Sequence, residues 1–534
     1  MDKQKRVAPR NVLPARTIGD IMNCLAPLEK GWQSLKKWPP NVFALTSSLL
    51  AESGAYRLAV SPPKGKAWPR NPDFWTAELP DIASKIRAYA VRRGPAPPEF
   101  TQCWEALESG KGLRVNSLTK PRQWKTCESI LCLHAIADEA CRGLGVPTGW
   151  PMSTDAELDF SIRAYYLLSR FGTLANINPD LVRVLPKLHT PQVGATLRSF
   201  SHHLTIATSE VMINWQLVPS GLKPDRETIN LMLFPFPYEI KPTDFKGVGD
   251  SSFFQFSSSQ SLNVGRIARL IAEGRSRVGA IDMIVFPESS LSCPDLSRLL
   301  ERLKKEAQMP IILAGVRRPP SAGKLGSNYA EFIIRISDRA LHSRRQFKHH
   351  RWCLDDVQIR QYHLGSALDP NQNWWEGIQI EKRELNFIPL TDAITICPLI
   401  CEDLARQEPV AAVVRAVGPT LVIALLLDGP QMAARWPSRY ATVLADDPGS
   451  SVLTLTSLGM ALRSRPPGKE PARLVALWKD RKTGLLEIEL PPRKEAIILT
   501  VCREWREEWT ADYRGDGGNA ATPFLAGIEP IGLE

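Results

Sequence analysis

AITICPLICEDLARQEPV, residues 393–410, sets a cysteine between an apolar run and a pair of acids. Residues 393–400 read as a strand buried on both faces, since a short unbroken apolar run suits a parallel sheet covered on each side. Cys401 closes that strand. Val410, Val413, Val414 and Val417 then follow helical spacing. The carboxyl ends of strands in an α/β sheet are where side chains from distant sequence converge on a ligand. Cys401 is therefore either a core filler, as expected for Cys397 on the same strand, or a nucleophile held up at the strand's end.

The same rhythm extends outward in both directions. Strands are expected at 229–236, 281–288, 310–316 and 328–337, then at 420–427, 451–458, 485–490 and 496–501, with amphipathic helices carrying Val264, Ile267, Ala268 and Ile271, and Leu296, Leu299, Leu300 and Leu303. Alternation of this kind is the signature of an α/β domain. Two more polar residues sit just past strand-like runs, Glu288 at the end of DMIVFPE and Lys348 within RRQFKHHRW. Alone, Glu288 reads as a surface residue or cap, and Lys348, among Arg344, Arg345, His349, His350 and Arg351, as part of a solvated or phosphate-facing loop.

Together these stretches resemble the nitrilase superfamily, the carbon–nitrogen hydrolases with a Glu-Lys-Cys triad. MIVFPES, FKHH and LICEDL occur in the family's order, with gaps of 60 and 53 residues, and LAGV (313–316) and the pair Asn328-Tyr329 look like the stretches that precede the family's lysine. The resemblance covers about residues 229–505. It implies a four-layer α-β-β-α sandwich, a small amide or nitrile substrate, no cofactor or metal, and pairing into a homodimer or larger homo-oligomer. It also assigns Cys401 as nucleophile, Glu288 as base and Lys348 as oxyanion donor, with Gln358, Glu402 and Asn328 as substrate-binding, oxyanion or supporting residues.

The chemistry explains why those types are needed together. A free thiol, with a pKa near about 8.5, is scarcely ionised at neutral pH, so Cys401 needs a base or a cation beside it. A partly buried Glu288 has its pKa raised towards the working range and can take and return a proton. Lys348, with the backbone N–H after Cys401, would hold the tetrahedral oxyanion; one such donor is worth about 10²–10³ in rate. Loss of the amine leaves a thioester or thioimidate, which water activated by Glu288 hydrolyses. A helix start at Cys401 would also favour the thiolate through the macrodipole.

Many members of the family carry a second glutamate shortly after the lysine, in a segment resembling F-x-E-x-R-x-F-x-x-G. Here the matching stretch is DDVQIRQYHLG (355–365), with Gln358 where that glutamate would fall and Asp355 or Asp356 as substitutes. The departure leaves a second function open, a catalytically altered nitrilase-like sensor or binding module. Nitrilase-like domains occur fused to reverse transcriptases in bacterial phage-defence systems, which suggests an antiviral setting. LADD (444–447) is only a partial match to a polymerase motif, since Leu444 replaces the aromatic and the segment falls in an expected helix.

At 534 residues the chain exceeds the roughly 250–300 residues at which single cores stop growing, so two domains and a C-terminal tail are expected, at 1–225, 226–505 and 506–534. The first is mainly helical and punctuated by prolines. It carries 28 Lys and Arg against 19 Asp and Glu, most of the chain's net +11, which suggests a solvated surface or a nucleic-acid or protein partner. Its clearest helix, 126–145, holds Cys127, Cys132, His134 and Cys141 without the close pairing that zinc favours, and is read as core. With no signal peptide at its start and no apolar run near the roughly 20 residues that span a bilayer, the chain is expected in the cytoplasm, away from membranes and with its ten cysteines reduced.

Overall fold

The computed structural model describes residues 16–26, 31–145, 154–192, 194–217, 221–248, 252–320, 324–337, 340–465 and 470–533. The chain is mixed α/β. Between Ile18 and Phe171 the regular elements of the described residues are all helices. Trp124–Glu139 is apolar on most of its circumference, so it is buried nearly all round, against Pro39–Ser53 among others. Cys127 and His134 on this helix and Cys141 just past its end are buried, whereas Cys132, expected in the core, is half-buried; His134 Nδ1 is hydrogen-bonded with Thr46 Oγ1 at 3.2 Å.

Two seven-stranded sheets follow. The first runs in the order Ala340–Phe347, Ser327–Ser337, Ile311–Arg318, Met283–Ser292, Thr228–Leu233, Ala496–Arg506, Ala520–Ile531. The second runs Gly484–Glu489, Leu474–Asp480, Ser451–Leu455, Leu421–Leu425, Thr395–Ile400, Glu384–Pro389, Met212–Trp215. Each has three central parallel strands, Thr228–Leu233, Met283–Ser292 and Ile311–Arg318 in the first and Thr395–Ile400, Leu421–Leu425 and Ser451–Leu455 in the second. These are the apolar runs legible in the sequence, because a parallel strand is covered on both faces. Alternation then sorts the residues. Leu231, Val285 and Leu313 share one core with Ile396, Ile423 and Leu453 of the second sheet, while Met232, Ile284 and Ile312 pack with residues of helices Val264–Val278 and Cys293–Leu303.

Residues 506–534, expected as a tail, contain the twelve-residue strand Ala520–Ile531, paired antiparallel with Ala496–Arg506. The RGDGGN turn and Pro523 and Pro530 hid it, since both are loop signals in isolation. Its position at the sheet edge is what tolerates the prolines. Met212–Trp215, from the expected first domain, pairs in parallel with Glu384–Pro389 as the last strand of the second sheet. Four residues are too few to display a period.

The loop before that edge strand anchors the helical region. Arg514 is buried and donates to Asp138 at 2.5 Å and to Glu139 at 3.3 Å, both at the end of Trp124–Glu139. Asp138 also accepts from the backbone N–H groups of His202, His203 and Leu204. Burial opposes ionisation of Asp138, yet Arg514 and His203 outweigh it and hold the carboxyl far below the usual range. Arg514→Met should therefore cost about 3–5 kcal/mol, the penalty for stranding buried carboxylates, read from urea unfolding at neutral pH. A depressed carboxyl stabilises the fold above its unfolded pKa of about 3.9, so the variant's deficit should shrink as pH falls below that value. No helix of the described residues is long and apolar enough to cross a membrane.

Candidate active site

Glu288 lies within Met283–Ser292, where the pairing with Ile311–Arg318 shifts register between Phe286 and Leu291. Ser289, the next residue, adopts the left-handed region at φ 52. The irregularity turns the Glu288 side chain into a buried network. Gly315, in the LAGV stretch, makes room for it: a Cβ there would lie 2.1 Å from Pro287 O and 2.5 Å from Glu288 Cα. Backbone cannot yield as a flexible side chain does. Gly315→Ala should lower stability by about 1–3 kcal/mol and displace Glu288, and a melting curve together with the pH profile of any turnover checks both.

Lys348 follows directly on the strand Ala340–Phe347 and is completely enclosed. Its Nζ donates to Glu288 Oε1 at 2.8 Å and to Glu376 Oε2 at 2.6 Å. Asn328 Nδ2 repeats the bridge from the other side, at 2.7 Å to Glu288 Oε1 and 2.8 Å to Glu376 Oε1. The second oxygen of Glu288 accepts the Leu427 N–H at 2.7 Å, and Glu376 Oε2 accepts the Trp352 N–H at 3.2 Å. Glu376 reaches this place from Trp374–Glu376, a short strand in a four-stranded sheet with Cys353–Leu354, Phe253–Phe256 and Phe245–Gly247.

Cys401 ends Thr395–Ile400 as expected and opens a single 3-10 turn, Cys401–Leu404. Its φ of 46 is left-handed, a conformation that costs a side-chain-bearing residue about 1–3 kcal/mol and persists only where the surroundings enforce it. The N–H groups that open such a turn have no partner within it, and Glu402 carries the first of them after Cys401. Asp403 locks the turn to the lysine loop: its carboxylate accepts the His349 N–H at 3.1 Å and pairs with His350 Nδ1 at 2.8 Å.

The electrostatics follow from two carboxylates and one ammonium in a dry space. Burial pushes the Glu288 carboxyl above its ordinary range; Lys348 opposes this and Glu376 adds to it. For Lys348, burial works against the ammonium, but Glu288 and Glu376 outweigh it and hold the amine well above the ordinary lysine range. Burial, followed by the charge of Glu288, pushes the Cys401 thiol well up, with Lys348 pulling the other way. The expectation of a stabilised thiolate is thus overturned, because one 3-10 turn supplies little dipole and the thiol is only 3 % exposed. The Cys401 thiol thus responds to the charges of Glu288 and Lys348, and Lys348 in turn to Cys401.

Gln358 is not in the place of a second glutamate. It lies on the short helix Asp356–Gln361; Asp355 caps that helix by accepting the Gln358 N–H at 2.8 Å, and Asp356 faces Arg360 at its surface. Glu376 stands at the lysine instead. Sequence spacing missed it because its position depends on pairing with Phe253–Phe256, more than a hundred residues earlier; the visible signal was an acid inside the aromatic run NWWEGI. Asn328 bridges the two glutamates. Glu402 pairs its carboxylate with Arg406 at 3.0 Å, and its charge adds to the upward push on the Cys401 thiol. A cavity of about 230 Å³ reaches Asn328 and Glu376, with Phe254, Ser289 and Arg317 among its walls. No group of His, Cys, Asp and Glu among the described residues is arranged to hold a metal.

No protein-family model matches the chain, and no curated protein matches it. Among solved structures it is similar to Saccharomyces cerevisiae Nit3, a member of branch 10 of the nitrilase superfamily, at 14% identity and a TM-score of 0.30, over 51% of this chain and 90% of that one. It is also similar to a CN-hydrolase superfamily protein of Xanthomonas campestris with an arsenic adduct in its active site, at 13% identity and a TM-score of 0.27, over 52% and 91%. A third is the C. elegans NitFhit protein, at 11% identity and a TM-score of 0.30, over 51% and 60%. About half of this chain is thus similar to solved structures of nitrilase-superfamily proteins.

Proposed function

We propose that the chain is a cysteine-dependent hydrolase of a non-peptide carbon–nitrogen bond, of amidase or nitrilase type, built on an α-β-β-α sandwich. One observation carries the reading: a fully buried lysine shared by two glutamates, within electrostatic reach of a strained cysteine at a strand's end. Apolar residues of the same volume are often as stable as a buried ionic cluster, so stability gives little reason for this one.

In this mechanism Cys401 rests as a neutral thiol. Glu288 takes the proton as sulfur attacks the amide carbon, and Lys348 and the Glu402 N–H receive the negative charge on the carbonyl oxygen. Glu288 then protonates the departing amine, leaving a thioester on Cys401. Water, deprotonated by Glu288, attacks that thioester and releases the acid and the thiol. Glu376 keeps Lys348 charged and in place. With Glu376 beside the lysine, Gln358 no longer gives a reason to read the chain as an altered, non-catalytic sensor.

The test is a panel of small amides and nitriles followed by intact mass, with release of ammonia or amine as the second readout; a panel that yields neither adduct nor product removes the proposal. Glu376→Gln supplies a finer check. Glu288 must be ionised to act as base, so kcat/KM should rise with pH through its elevated pKa. Since Glu376 raises that pKa, its neutralisation should move the acid limb to lower pH while kcat falls. An acid limb that stays in place would exclude Glu288 as the base.

A further inference from the structure

The helical region contains a cavity of about 640 Å³, lined among others by Lys36, Lys37, Arg92 and Arg163, and none of the described residues along it is acidic. Its size falls in the roughly 300–1,000 Å³ typical of small-molecule sites, which is far more than a bare anion needs.

The arginines there behave differently from their neighbours. Arg87 pairs with Glu157 at 3.0 Å, and Arg93 with Asp159 at 2.7 Å and Asp155 at 3.5 Å. Arg92, between them, has no carboxylate partner among the described residues and holds a left-handed φ of 64, unfavourable for any residue with a Cβ. Arg163 is fixed with its guanidinium 4.2 Å over the Trp38 ring, Nη1 donating to Ala90 O at 3.1 Å. Arg163 and Arg92 line the same cavity, and burial and the charge of Arg92 both disfavour the protonated form of Arg163. Lys36 and Lys37, at the end of the 3-10 helix Trp32–Lys37, add two cations with no acid between them in that turn.

Four cations with no carboxylate partner among the described residues line one void, a setting suited to a polyanion, and guanidinium forks fit phosphate oxygens in pairs. Ser34 and Asn176 contribute neutral polar groups to the wall. We propose that this cavity binds a phosphate ester of nucleotide size. The ester belongs either to a free nucleotide or to the phosphorylated end of a nucleic-acid strand, and the site stands independently of the hydrolase reading. The positive surplus of residues 1–225 would draw such a ligand in.

Calorimetric titration of the full chain in about 0.15 M salt decides the matter, with ATP, pyrophosphate and a short oligonucleotide bearing either a 5′-phosphate or a 5′-hydroxyl. ATP or the 5′-phosphorylated strand should bind with a Kd below about 1 mM, ATP binding alone marking the free nucleotide as the source. The double variant Lys36→Ala/Arg92→Ala should weaken that binding about tenfold or more, while Arg93→Ala, whose side chain is already paired, should leave it within about twofold. Both variants change exposed or half-buried side chains, and melting curves confirm that they fold. Equal affinity for the two oligonucleotides without ATP binding would assign any binding to the strand's backbone and overturn the proposal. So would unchanged affinity in the double variant, or no binding of any probe.

Discussion

Cys401→Ala should abolish the covalent adduct formed with a cleaved amide and lower turnover by about 10⁴-fold or more, the scale on which losing a nucleophile acts. The expected contrast with ordinary thiol chemistry sharpens this. Cys401 is 3 % exposed and its thiol is pushed well up by burial and by Glu288, so it is a poor spontaneous nucleophile. Cys24 is exposed, and Cys103, Cys293, Cys353 and Cys502 are among the half-buried ones. A generic alkylating agent at neutral pH should therefore modify those thiols before Cys401. An amide substrate should do the reverse, because in the proposed mechanism a proton acceptor and an oxyanion donor act on the bond that Cys401 attacks. Peptide mapping after each treatment reads both patterns. An adduct that survives in Cys401→Ala would transfer the chemistry to another residue.

Lys348→Met should destabilise the fold by about 3–5 kcal/mol, in addition to removing activity. Without the ammonium, the carboxylates of Glu288 and Glu376 share one dry space, linked only through Asn328 Nδ2. Lys348 is held well above its ordinary pKa, so its stabilisation is present at every pH below the unfolded value of about 10.4 and is lost as pH rises through the folded one. The deficit of the variant should accordingly be full at neutral pH and diminish in strong alkali. Adding Glu376→Gln to Lys348→Met should restore part of the loss, since one buried charge is then gone. A double-mutant cycle measured by urea unfolding would show a coupling of about 1–3 kcal/mol. Additive effects would mean that the three groups are not one unit.

Glu288 and Cys401 were legible as candidates because apolar runs lead into them, whereas Lys348, which follows the largely polar strand Ala340–Phe347, stood out only through the resemblance of FKHH. The supporting residues were harder. Asn328 was visible only through its neighbour Tyr329, and Asp403 gave no sign that it would join the His349–His350 loop to the cysteine turn. Gln358 drew attention through spacing alone, while Glu376 acquires its role by strand pairing over more than a hundred residues. The state of the thiol was also misjudged, since a charge near a helix start is easily imagined and enclosure is not.

What the sequence by itself determined is local: where apolar runs alternate with helical stripes, and which polar residues close those runs. That much follows from periodicity, because a strand buried on both faces must be apolar throughout. The tertiary structure alone decided which distant segments meet. Met212–Trp215 and Ala520–Ile531 complete the two sheets, Arg514 joins a C-terminal loop to the helical region, and Glu376 completes the lysine's surroundings. Short edge strands and buried charges get their stability from partners far along the chain, and partners at such range leave no period in the residues that need them.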